Sequence, residues 1–271
     1  MRRAGWYAGT VAVLVVAVLP VLWIVSLSLK SPATITDKRP WPVDPTLENY
    51  RSIFGSALFT RALLNSVGIG LITTVLAVAL ATPAAYALTR LRFRGKALVL
   101  PLTLAVAVFP PMALVGSLFD LWRALGLYDT WPGLIIPYLS FALPLAMWTL
   151  TAFFRGLPWE MEEAAQADGA TPWQGFRRVL VPLARPGVLT AAILVFFFAW
   201  NDVVFAISLT SSDRSRTVPA ALAFFPGNEQ FAQPVGSIAA AAVVVTVPVL
   251  VATLVFQRRL VAGLTAGVVR P

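Results

Sequence analysis

The side chains able to do chemistry are few in this 271-residue sequence. Glu160, Glu162, Glu163 and Asp168 fall close together, and Asp202 follows Trp200 and Asn201 inside an otherwise uncharged apolar stretch. There is no His and no Cys, which removes imidazole bases, thiolate nucleophiles, disulfides and the commonest metal ligands. No carboxylate pair lies within the apolar stretches, so the sequence reads as something other than an enzyme. Trp200-Asn201-Asp202 combines carboxylate acceptors, an amide donor and an aromatic platform, the groups that recognise sugar hydroxyls and a pyranose face. A structural hydrogen bond to a neighbouring helix or a partner chain uses the same groups, and both readings stand.

The elements that position these residues are membrane spans. Apolar residues make up 58% of the chain and charged residues only 12%, against about 25% charged in a soluble protein. A bilayer core of about 30 Å takes roughly 20 apolar residues of helix, and six stretches meet that length: 7–29, 65–88, 97–118, 133–154, 188–209 and 237–256. Asp202 is the sole charge in all six. Runs such as 193–198 and 239–245 are apolar all round, whereas the surface helices of a soluble protein keep a polar face. The first stretch is longer than the roughly 7–15 residues of a signal-peptide core and lacks a small-x-small cleavage site, so it reads as an anchor. Pro20, Pro83, Pro101, Pro110, Pro111, Pro137, Pro144 and Pro248 fall inside the stretches, and Pro110-Pro111 is the strongest predicted break.

Orientation follows from the cations. With the N-terminus inside, segments 1–6, 89–96, 155–187 and 257–271 hold 13 of the 21 basic residues. Arg90, Arg92, Arg94 and Lys96 crowd one short turn that resists translocation. Both termini are therefore expected in the cytoplasm, the +9 net charge is membrane-flanking charge, and no nucleic-acid partner is required. Trp41, Trp122, Trp131 and Trp159 read as interfacial anchors, and Gly5-x-x-x-Gly9 as a weak close-packing signal.

The inside loop 155–187 reads as two short helices. Pro158 suits a first helical position, Glu160, Glu162 and Glu163 complement the dipole, and Gly169 supplies a left-handed exit. Thr171-Pro172-Trp173-Gln174 has a capping-box pattern, with the second helix running to Pro182. Met161, Ala164, Ala165 and Asp168 share one helical side, where two alanines leave room for another protein.

Glu163-Ala164-Ala165-x-x-x-Gly169, nine further residues and Val179-x-Val181-Pro182 resemble the EAA motif of the permease subunits of bacterial ABC importers, with Val where that pattern has Ile and Leu. Ser28-Leu29-Lys30, Glu48-Asn49-Tyr50, Asn65-Ser66, Ala84-Ala85-Tyr86-Ala87, Arg92-Phe93-Arg94-Gly95, Asp168-Gly169-Ala170-Thr171-Pro172 and Trp200-Asn201-Asp202 look like landmarks of the maltose-permease type. Ala206, where many members carry Pro, is most like the trehalose importers of actinobacteria. The resemblance implies an all-α, polytopic membrane protein with six transmembrane helices, the type I ABC importer permease fold, in a single domain over 1–271. It implies that Glu163, Ala164, Ala165, Asp168, Gly169 and Pro182 couple the permease to an ATPase. Gly263, Leu264 and Gly267 match a cytoplasmic tail, 257–271, that reaches between two ATPase subunits; Pro271 stands where Gly is usual. Trp200, Asn201 and Asp202 are the candidates for a translocation path.

The expected function is ATP-driven uptake of a sugar, trehalose or a maltose-like oligosaccharide, through the plasma membrane by alternating access. The expected partners are a second permease subunit forming a heterodimer, an ATPase dimer, an extracellular substrate-binding lipoprotein, the sugar and membrane lipid. No Gly-x-x-x-x-Gly-Lys-Ser/Thr occurs, so ATP and Mg are expected on the partner subunits and no cofactor on this chain. The competing readings are an ion-gradient-driven secondary transporter, which needs more intramembrane charge than Asp202, and an ABC permease for a non-sugar solute.

Overall fold

The computed structural model describes residues 2–224 and 235–265, and among them every regular element is helical. In chain order these are α1 (Arg2–Ser28), α2 (Glu48–Gly55), α3 (Ala57–Arg90), α4 (Lys96–Val108), α5 (Pro111–Leu125), α6 (Trp131–Arg155), α7 (Glu160–Ala167), α8 (Pro172–Gly175), a π-helical turn (Phe176–Leu180), α9 (Val181–Leu183), α10 (Arg185–Trp200), α11 (Val204–Leu209), α12 (Val218–Ala223) and α13 (Val235–Thr265). Within α1, α3, α6 and α13 lie four segments long and apolar enough to cross a membrane, and two bent helix pairs raise the number to six if each is one span.

The prolines act unequally. Pro20, Pro83, Pro101, Pro137, Pro144 and Pro248 sit inside continuous helices. Pro110-Pro111 breaks the chain: α4 and α5 meet at 84°. Phe109 and Pro110 are both extended there, and Pro111 opens α5. Phe109 is held extended because the Pro110 ring disfavours a helical residue before it. The other bent pair is Pro172–Leu183 with Arg185–Trp200, at 72°, and a separate break falls where the sequence predicts one span at 188–209. There α10 begins at Arg185 and stops at Trp200, and the chain resumes as α11 at Val204. Asn201 Nδ2 donates to the Phe197 carbonyl at 2.8 Å, a carbonyl that the Asn201 N–H also reaches at 3.1 Å. Asp202 Oδ2 accepts from the Ala206 N–H at 3.0 Å. Local side-chain bonds of this kind compete with helix continuation.

The chain divides into two compact units, residues 1–62 with 220–250 and residues 63–219 with 251–271. In the first, the end of α1 is pinned by polar contacts. Asn49 Nδ2 donates to the carbonyls of Ser28 and Lys30 at 3.0 and 2.8 Å. Ser28 Oγ lies 2.8 Å from the Tyr50 hydroxyl, and the buried Lys30 ammonium donates to the carbonyls of Asp37 and Arg39 at 2.6 and 2.8 Å. The Glu48-Asn49-Tyr50 and Ser28-Leu29-Lys30 landmarks are thus two halves of one clamp. Most of α1 is exposed and apolar all round, including Val16 at 74%, as a membrane-spanning helix can be.

In the second unit, Ala77, Ala81 and Ala85 of α3 and Ala142 and Ala146 of α6 are fully buried. They form one core with Leu150 and Phe154 of α6, Phe176 and Leu180 of the π turn, and Ala191 and Val195 of α10. Alanine every four residues keeps one face of a helix smooth, so backbones approach closely without needing a hydrophobic drive from water. A second core gathers Ile69, Trp122, Leu134, Tyr138, Phe141, Phe205 and Leu209.

Candidate functional site

The segment between α6 and α10 folds as its residues require. Trp159 caps α7, with its carbonyl taking the N–H groups of Glu162 and Glu163 at 3.0 and 3.3 Å. Pro158 therefore precedes the helix rather than opening it. At the other end Gly169 has φ +85°, a left-handed conformation that favours a residue without Cβ. The Ala170 N–H returns to the Ala165 carbonyl at 2.9 Å, so the left-handed glycine satisfies a carbonyl the helix leaves open. The Thr171–Gln174 capping box is reciprocal: the Thr171 N–H donates to Gln174 Oε1 at 2.9 Å and the Gln174 N–H to Thr171 Oγ1 at 3.3 Å. The second helix reaches Leu183 through the π turn.

Two faces of α7 have different fates. Met161, Glu163, Ala164 and Asp168 are exposed, as are Glu160 and the neighbouring Gly169 and Trp173. Ala165 is buried instead, its Cβ 4.0 Å from where a side chain at Gly175 would begin, because the second helix folds back beneath the first. Of the two alanines expected to receive a partner, Ala164 is the exposed one. Pro182 is half-buried.

Glu162 also points inward and is 4% exposed. Its Oε1 accepts from the Tyr86 hydroxyl at 2.8 Å, and Oε2 lies 3.7 Å from Arg90 Nε. Arg90 donates from Nη2 to the Leu157 and Phe154 carbonyls at 2.8 and 3.4 Å, and its guanidinium lies over the Trp159 ring at 4.8 Å. The Tyr86 ring packs on Phe176 with centroids 4.7 Å apart. Sequence reasoning missed this cluster. It assigned Glu162 to the helix dipole and Arg90 to membrane-flanking charge, and no spacing links residue 86 or 90 to residue 162. Arg92 and Arg94 are exposed as flanking charges should be, while Lys96 donates to the carbonyls of Thr89 and Leu91 at the end of α3.

At the α10–α11 break, Trp200 is 2% exposed and packs against Phe196 with centroids 5.4 Å apart. Asn201 is exposed, and Asp202 Oδ2 accepts from both the Tyr138 hydroxyl, at 2.9 Å, and the Ala206 N–H. The three residues therefore do not present one common face. Asp202 is committed to joining α6 to the start of α11, which favours the structural reading of its charge.

Asp129 is a second carboxylate that sequence reasoning left without a role. It has φ 57° and accepts from the N–H groups of Ser211 and Ser212 at 3.0 and 3.1 Å and from the hydroxyls of Ser212 and Ser215. Burial pushes its carboxyl up, but these four donors outweigh burial and hold it below the ordinary value. It ties the α5–α6 turn to residues 211–215.

Gly263 and Leu264 lie on the helical backbone of α13, and Gly267 falls outside the described residues. Among the described residues no three His, Cys, Asp or Glu side chains gather to hold a metal ion.

Residues 74–265 match the family model of the binding-protein-dependent transport system inner membrane component. The chain is 57% identical over 271 residues to the trehalose transport system permease protein SugB of Mycobacterium tuberculosis, covering 99% of this chain and 98% of that one. It is 34% identical over 272 residues to the trehalose/maltose transport system permease protein MalG of Thermococcus litoralis, covering 100% and 98%. A chain in the crystal structure of a bacterial ABC transporter involved in the import of the acidic polysaccharide alginate has the same fold, with TM-score 0.77 and 25% identity over 95% of this chain and 98% of that one. An apolar helical fold, a loop with the EAA spacing and a family match over most of the length converge: this chain belongs to the family of binding-protein-dependent transport system inner membrane components, the permeases of ABC importers, and is a multi-pass protein of the plasma membrane.

Proposed function

We propose that this chain is one of two different permease subunits of an ATP-driven importer for trehalose. An extracellular lipoprotein delivers the sugar, and an ATPase dimer that holds ATP and Mg drives alternating access. Both termini and the 155–187 loop lie in the cytoplasm, and the 257–271 tail, with Gly263, Leu264 and Gly267, extends toward the ATPases. The observation that carries the reading is the α7 face: Glu163, Ala164 and Asp168 are exposed while Glu162 and Ala165 anchor the same helix inward. A helix held rigidly from behind, with a small residue flanked by carboxylates in front, is shaped for close docking and for transmitting displacement to α6 and α10. The 57% identity to a permease named for trehalose supports that substrate.

The test is uptake of labelled trehalose by proteoliposomes containing the assembled complex. Uptake is expected only with ATP inside and binding lipoprotein outside. Uptake that persists without ATP and collapses with the proton gradient overturns the proposal, and ATP-driven uptake of another solute with none of trehalose overturns the substrate.

A further inference from the structure

Glu162 is buried although its helix is otherwise largely solvent-facing. An unpaired buried carboxylate is expensive, so its partners matter, and both come from the last part of α3. Tyr86 and Arg90 are four residues apart, one turn of the same helix face. Through them α3 reaches the whole α6–α10 connection: Leu157 and Phe154 by the Arg90 fork, Trp159 by the guanidinium face, Glu162 by the hydroxyl and the ion pair, and Phe176 by the tyrosine ring. Yet α3 is not joined to this connection through the chain, as α6 and α10 are. A displacement of α7 pulls α6 and α10 covalently and moves α3 only through side chains.

Apolar contacts slide under such a load, whereas a hydrogen bond and an ion pair resist it in a defined direction. Two of the atoms are also held in reserve. Arg90 Nε and Glu162 Oε2 are buried, have no hydrogen-bond partner among the described residues, and face each other across 3.7 Å. That gap is longer than a hydrogen bond, so a small shift of α7 along it either makes the bond or opens it.

We propose that Tyr86 and Arg90 are positioning residues that grip Glu162, fix the attitude of the docking helix and pass its movement to α3. The inference rests on the importer reading above. It adds α3 as a third driven helix alongside α6 and α10.

The experiment uses the complete complex in nanodiscs, with binding lipoprotein and trehalose added. It compares wild type with Tyr86→Phe, Glu162→Gln and the double variant. Tyr86→Phe keeps the ring on Phe176 and removes only the hydroxyl. Stimulation of ATPase turnover by loaded binding protein is expected to fall at least about fivefold, with basal turnover and KM for ATP within about twofold of wild type. The double variant should lose little more than either single one. A merely structural contact would lower complex yield or melting temperature without moving the ratio of stimulated to basal turnover.

A ratio for Tyr86→Phe within twofold of wild type overturns the inference. So does failure of that variant to assemble, which places the hydroxyl in folding. A wild-type complex without ATPase activity overturns the underlying reading instead, and shows in the wild-type measurement alone.

Discussion

Replacing Gly169 perturbs the exit of α7, the helix proposed to dock. A Cβ built there meets nothing within 4 Å, and φ +85° strains any L side chain whatever the space. An L-residue in the left-handed region costs about 1–2 kcal/mol, less for Asn, which tolerates it, and more for a β-branched side chain. A cost of that size lowers the ratio of native to relaxed exit by about 5–30-fold. When the exit relaxes, the Ala170 N–H loses the Ala165 carbonyl, and α7 no longer presents Glu163, Ala164 and Asp168 at a fixed angle. The series Gly169→Asn, Gly169→Ala and Gly169→Val should therefore leave membrane abundance within about twofold. It should reduce ATP-driven trehalose uptake and ATPase co-purification in that order, with Ala down by up to about 5–30-fold and Val further. Immunoblotting, tagged purification and labelled-sugar uptake read the three quantities. Normal uptake by Gly169→Val at normal abundance refutes the reasoning, as does an equal loss for Asn and Val, which would remove backbone conformation as the cause.

At Gly187 an added Cβ would fall on Phe153, 2.7 Å from Cδ2 and 2.8 Å from its Cβ, so Gly187→Ala must separate α6 from α10; overpacking of about 1–3 kcal/mol should lower the melting temperature in detergent, and an unchanged value contradicts the close approach. Asp202→Asn keeps an acceptor for Tyr138 or Ala206 and should leave the uptake KM within about twofold, while Asp202→Ala strands a buried hydroxyl at about 1–3 kcal/mol and lowers stability; a large KM change in Asp202→Asn with stability intact would restore the sugar-ligand reading. The depressed carboxyl of Asp129 means that the unfolded state binds the proton more tightly. Its contribution is therefore fully present above the unfolded carboxylate range near 3.9, and is lost as pH falls through the lower folded value. Protection of residues 211–215 from hydrogen exchange should decline in acid for wild type, and Asp129→Asn should flatten that decline.

Much of the architecture is legible because the bilayer imposes a length and a polarity that composition reveals directly. The apolar stretches, the Pro110-Pro111 break, the left-handed Gly169 and the Thr171–Gln174 capping box all arise from residues adjacent in sequence. What escaped depends on residues far apart. Glu162 reads as an ordinary first-turn acid until α3 is seen beside it, and Arg90 reads as one of four flanking cations until its fork meets Leu157. Asp129 gains meaning only from serines more than 80 positions away. The 188–209 stretch reads as a continuous span because hydropathy does not register that Asn201 and Asp202 bond to nearby backbone. The turn of Ala165 toward Gly175 is equally non-local, since helical spacing puts Ala164 and Ala165 together and the fold-back of the second helix separates them.

If the exposed face of α7 lies in the cytoplasm against an ATPase subunit, as proposed above, a thiol placed on that face reports both facts. The chain has no native cysteine, so Ala164→Cys supplies a unique thiol on that face. Labelling by a membrane-impermeant maleimide in oriented vesicles tests sidedness and docking together. Labelling is expected in inside-out vesicles stripped of the ATPase, with none in right-side-out vesicles and protection when the ATPase is added back. Labelling from the outside, or labelling that the assembled ATPase leaves unchanged, contradicts it.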